Sequence, residues 1–330
     1  MISRALTFLA SLRDQMSTPH RLRALSIVRI VFGFNVLALY VQHVRQYEFL
    51  WGDHGLMPWG TFMVTLIIQR SYSLYALTSD PHQQMWIFVA GAVVSFLFMI
   101  GAFTRVVSVL FFVFTWSLYS RNIYLLDGGD NLLYLTALFM IFTNCGAYYS
   151  MDAVFRGRRA TNRFVALLHN YAVCAIIIQT AMVYLISSFY KVSGHKWQDG
   201  TALYYILHVD EFQLVPWLVH LSENPVLVTV LTYGTMITQA AFPFLIFHKR
   251  LKWFIAPAII GMHVGIGYAM GLAYFSSVLI AAEAIFFTDR DIVKVTRIAG
   301  AILSRPFRGR TMKPVPVLAA AATTASPTPV

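Results

Sequence analysis

Charge is scarce in this sequence and cysteine is nearly missing. Charged residues hold 12% of 330 positions, and the two cysteines are Cys145 and Cys174. Both fall inside expected helices, so neither a disulfide framework nor a cysteine-based zinc site is read. His54, His195 and His208 have no metal-ligand spacing, and no metal is expected. Acids are fewer than bases, 14 against 25. In a soluble protein such an excess would suggest nucleic acid, but these bases sit between apolar segments, so nucleic acid is not an expected partner. No long apolar run followed by a small-residue cleavage site occurs at the N-terminus, so the first span is expected to be retained.

What the sequence has is apolar length. Apolar residues reach 58% and mean hydropathy is +0.63, as in an all-α polytopic membrane protein with membrane lipid as its surroundings. Residues 1–26 are basic and amphipathic, carrying Arg4, Arg13, Arg21 and Arg23 against Asp14. Such a segment is expected to lie along an anionic membrane face. Apolar runs at 27–45, 85–103, 107–120, 131–149, 164–190 and 225–247, and a long run at 253–288 that breaks near Gly271, give about eight transmembrane helices. Residues 61–78 and 201–209 are expected as interfacial or re-entrant helices, and 291–330 as a basic and then disordered tail. With this alternation most of the 25 basic residues share the side of the termini and most of the 14 acids take the other. The termini are therefore expected to be cytoplasmic, in the plasma membrane.

The polar stretch Tyr184–Gly200 leaves the apolar run 164–190 through Lys191. A lysine at a helix end commonly snorkels to the headgroups. To act as a base near neutral pH it needs surroundings that work against the ammonium by about 4 kcal/mol. Tyr184, Ser187, Ser188 and Lys191 lie three, four and seven residues apart, one face of a helix. His263 sits mid-span among Gly261, Gly265 and Gly267, which permit close approach of a helix or a flat ligand. Asp127, Asp130, Asp199 and His54 belong to the same side as Lys191. Arg29 and Glu283 are intramembrane charges of matching depth, expected to form a structural ion pair.

Gly52-Asp-His-Gly-Leu-Met-Pro58, Asp127-Gly-Gly-Asp130, Tyr148-Tyr-Ser-Met-Asp152 and Tyr184 through Gly200 together resemble the HTTM family. This is the membrane domain shared by vitamin K-dependent γ-glutamyl carboxylase and bacterial proteins such as sporulation-delaying protein B. The resemblance covers about residues 20–290. It implies Lys191 as the base and His263 as a second catalytic residue. Tyr184, Ser188, Trp197 and Asp199 would then hold a quinone or hydroquinone cofactor, in a setting of secreted-peptide maturation with a co-encoded membrane partner. Two departures stand out: no β-rich portion follows the membrane domain, so carboxylation of protein glutamates is not expected, and Gln239 stands where relatives commonly carry a carboxylate. The other reading of the same fold is a non-catalytic membrane protein that binds or escorts a partner peptide.

Overall fold

The computed structural model of the chain describes residues 16–157 and 162–308. The first half of the expected N-terminal basic segment, loop residues Arg158 and Arg159, and the tail beyond 308 lie outside the described residues. Those that are described are helical or in turns, with no strand among them. The longer helices are α1 (Leu22–His43), α2 (Trp59–Gln69), α3 (Pro81–Ile100), α4 (Thr104–Arg121), α5 (Gly128–Met140), α6 (Arg163–Val192), α7 (Pro225–Leu245), α8 (Lys252–Ala269), α9 (Ala273–Glu283) and α10 (Asp289–Arg308).

Local chemistry sets where these helices begin. Asp80 caps α3 ahead of Pro81, whose missing N–H is no loss in a first turn, and Asn224 with Pro225 does the same for α7. Asp127 Oδ1 accepts from Gly129 N (2.7 Å) and Asp130 N (3.0 Å), while Asp130 Oδ2 accepts from Asp127 N (3.0 Å). The Asp-Gly-Gly-Asp motif is therefore a capping box that starts α5. The expected break near Gly271 falls between α8 and α9, with Gly271 at φ 73°.

Each expected span overlaps a helix, but the second half of 131–149 lies in turns and the helices are not equally long. Among the described residues, four helices are long and apolar enough to cross a membrane: Leu22–Trp51, in which Tyr47–Trp51 continues α1, and then Pro81–Ile100, Arg163–Val192 and Pro225–Leu245. The 13-residue α5 ends at Met140, so it rises only about 20 Å against a hydrocarbon core of about 30 Å. α9 is shorter still, at 11 residues.

The chain divides into two units, Met1–Arg290 and Asp291–Val330. In the first, neighbours close a ring in the order α1, α3, α4, α5, α6, α7, α8, α9 and back to α1, and α9 also touches α5 across the ring. Polar side chains point into it, among them Ser26, Ser95, Thr115, Thr136 and Thr180, all buried. Large apolar ones remain on the outside, with Ile68 75% and Phe254 74% exposed. That distribution suits a protein surrounded by acyl chains, where burial of apolar groups gives no advantage over lipid. His169 and Asn170, which interrupt the apolar run of α6, hold the segment before α1. His169 Nε2 meets the His20 carbonyl at 2.8 Å, and Asn170 Nδ2 donates to Thr18 O at 2.8 Å.

The expected Arg29–Glu283 ion pair is not present. The buried Arg29 guanidinium donates instead to the carbonyls of Phe98 (2.6 Å), Met99, Cys145 (3.2 Å) and Tyr149. Its planar fork thereby satisfies the carbonyl ends of α3 and the turns after α5, groups that would otherwise be orphaned. Glu283 points elsewhere, as described next.

Candidate functional site

α6 is 30 residues long and keeps Lys191 in its last turn. Beyond it the chain turns at Gly194 into the short helix His195–Gln198, which folds Trp197 back over the lysine. Lys191 Nζ lies 5.2 Å from the centre of the Trp197 ring and donates to Ser187 Oγ at 2.7 Å. Ser187 Oγ in turn is 3.4 Å from Gln239 Oε1 on α7. Lys191 is half-buried.

Beside this bond runs a groove of about 660 Å³. Met182, Val183, Ile186 and Tyr190 give it apolar walls, and Gln179, Ser187, Lys191 and Trp197 supply polar or aromatic edges. Alternate faces of one helix turn account for this choice of residues. Ser187 and Lys191, four apart, look into the groove, whereas Ser188 is buried and donates to Leu185 O at 2.7 Å.

Two turns below Lys191, about 10 Å along the helix axis, a second polar group is sealed inside the ring. Tyr184, His263 and Glu283 come from α6, α8 and α9 and are 1%, 2% and 1% exposed. The Tyr184 hydroxyl lies 2.9 Å from His263 Nε2 and donates to Glu283 Oε1, which is 3.9 Å from the same imidazole nitrogen. Since that hydroxyl gives its one proton to Glu283, its lone pair is left for Nε2–H of His263. His263 Nδ1 and Glu283 Oε2 are buried with no hydrogen-bond partner among the described residues.

Lys191 and Trp197, from the residues singled out in the sequence, meet at the groove. Tyr184 and His263 meet in the buried cluster, and Ser188 and Asp199 lie outside both. Asp199 is exposed and follows the short helix, its N–H donating to His195 O at 2.8 Å. Asp127 and Asp130 are engaged in the α5 cap. The His54 N–H is 3.4 Å from Glu48 Oε1, within a turn whose Gly52 and Met57 carbonyls accept from buried Arg121 at 3.2 and 2.7 Å. Of the three glycines around His263, only Gly267 is closely approached, with Ser276 3.2 Å from where a Cβ would stand; Gly261 and Gly265 meet nothing within 4 Å. Sequence reasoning put Ser187 on the face of Lys191 but named Ser188 as the site residue, and it paired Glu283 with Arg29. The signal for Glu283 was present, since an acid inside a span marks a functional site by default, but depth alone picked the wrong partner.

Residues 18–290 match the family model described as the HTTM domain. An uncharacterized Bacillus subtilis (strain 168) protein, YitO, is 24% identical over 234 residues, which cover 68% of this chain and 74% of that protein. No solved structure matches.

Proposed function

The chain belongs to the HTTM domain family, and on that premise we propose a multi-pass protein of the plasma membrane, with eight crossings and cytoplasmic termini, that uses Lys191 as a base toward a quinol-like or lipidic ligand. The observation that carries this reading is the Lys191–Ser187 bond at the edge of the groove. A neutral Lys191 amine accepts a proton from an acidic O–H. The ammonium that results is met by the Ser187 oxygen and the Trp197 ring face, two partners that favour the protonated product without carrying charge themselves.

The groove is an open one with room for such a ligand. Its volume lies within the range of about 300–1,000 Å³ that small-molecule sites occupy. The flat walls of Met182, Val183 and Ile186 suit an apolar ring, and Gln179 and Ser187 suit its oxygens. A bound hydroquinone would bring the acidic O–H and two reducing electrons. Tyr184, His263 and Glu283 form the layer beneath, where the shared Tyr184 hydroxyl holds His263 in one tautomer and one orientation. We place this activity in the maturation of a secreted peptide, together with a co-encoded membrane partner.

The test is extraction of the purified protein and mass spectrometry of its lipids. A prenylated quinone enriched with the wild type and lost from Trp197→Ala supports the reading; no enrichment over an unrelated membrane protein overturns it. Peptide activity in the native host separates catalysis from escort. Lys191→Ala abolishes that activity if the lysine is a base. It leaves the activity intact if the protein only binds or escorts the peptide.

A further inference from the structure

α10 (Asp289–Arg308) is a helix of a different kind from those before it. Arg290, Lys294 and Arg297 are spaced four and three residues apart, which places them within one narrow strip. Ile292, Val295 and Ala299 run along the opposite side at the same spacings. Its two acids, Asp289 and Asp291, are confined to the first turn, where they complement the positive end of the helix dipole.

From Lys294 to Ala301 every residue is exposed, including Val295 at 45% and Ile298 at 51%. The apolar stripe is buried at Ile292 but left uncovered from Val295 onward, opposite a basic one, and so marks a surface made for a boundary between an apolar and an anionic phase. The helix begins three residues after Phe286, which closes the last apolar helical segment. The bilayer is the nearest such boundary.

We propose that α10 lies in the membrane surface and recognises anionic lipid headgroups through Arg290, Lys294 and Arg297, with Val295 and Ala299 toward the acyl chains. Basic residues at a charged membrane surface each contribute about a fivefold preference. Three on one strip therefore favour anionic over zwitterionic lipid on the order of a hundredfold.

The full chain, with exposed Cys174 changed to Ser and Val295→Cys carrying an environment-sensitive fluorophore, is reconstituted into phosphatidylcholine vesicles with increasing phosphatidylglycerol. The expected result is a blue shift and quenching by bilayer-embedded quenchers that grow with phosphatidylglycerol and recede in 1 M salt, where the Debye length falls to about 3 Å. Arg290→Gln, Lys294→Gln and Arg297→Gln together should lower the bound-to-free ratio of the helix by roughly a hundredfold. The lipid titration leaves the basic strip unsubstituted, so a folding defect in the triple variant does not decide the outcome. Emission that is the same with and without phosphatidylglycerol overturns the proposal, and so does a triple variant indistinguishable from the parent while its membrane domain remains monodisperse.

Discussion

The Tyr184 hydroxyl lies 2.9 Å from Nε2 of His263 while donating to Glu283, so one phenol hydrogen-bonds to two other helices at once. Its placement in a buried position makes the bond consequential. In a low-dielectric interior a satisfied network rigidifies its members, and an unsatisfied one is costly.

Removing that hydroxyl strands two buried groups at once. We expect Tyr184→Phe to destabilise the protein by about 1–3 kcal/mol, the cost of leaving a buried donor or acceptor unpaired. Pairing it with Glu283→Met should cost less than the sum of the single changes, because the carboxylate that was stranded is no longer there. Thermal unfolding in detergent of the four proteins of that cycle gives the coupling, and strict additivity would show that the two side chains do not interact.

Lys191 should behave in the opposite way. It is half-buried and its partners are one hydroxyl and one indole face, so Lys191→Ala is expected to change stability by under about 1 kcal/mol. A functional loss in a variant that unfolds at the wild-type temperature then points to chemistry or binding. A large drop in unfolding temperature would instead make the lysine a structural strut.

Helix starts were legible in the sequence because they are local. Asp80-Pro81, Asn224-Pro225, Asp127 with Asp130, and the Gly271 break each carry their own geometry within four residues. The termination of α5 at Met140 was not, since residues 141–149 read as apolar while their backbone is held in turns by distant groups. Arg29, for example, takes the carbonyls of Cys145 and Tyr149. Likewise Ser187 and Ser188 are equally plausible neighbours of Lys191 by spacing, and only the ring order decides which one looks into the groove. Hydropathy gives depth in a membrane, but the direction around a helix axis belongs to the packing.

The replacement of an ion pair by carbonyl bonds at Arg29 has a measurable signature. Arg29→Met leaves the carbonyls of Phe98, Met99, Cys145 and Tyr149 without their donor. At roughly 1 kcal/mol or more apiece, the loss should reach about 3–5 kcal/mol. Glu283→Gln in the same background should add its own effect independently. A coupling energy above about 0.5 kcal/mol between the two positions would restore the ion pair that the geometry denies.

The glycines offer a test of packing with opposite signs at two positions. Gly101 has φ 71°, and a Cβ there would stand 2.4 Å from Ser150 Cβ and 2.8 Å from the Arg29 guanidinium. Gly101→Ala therefore meets both a disfavoured backbone and the Arg29 clamp, and we expect a loss of at least about 1–3 kcal/mol. Gly261 lies inside α8 with nothing within 4 Å of its Cβ position. There Gly261→Ala removes backbone freedom from the unfolded chain at no steric cost, and a gain of about 0.5–1 kcal/mol is expected. Unfolding temperatures of the two single variants check both signs. If Gly261→Ala proves as damaging as Gly101→Ala, that face of α8 is occupied, and the flat-ligand reading of the His263 glycines regains its ground.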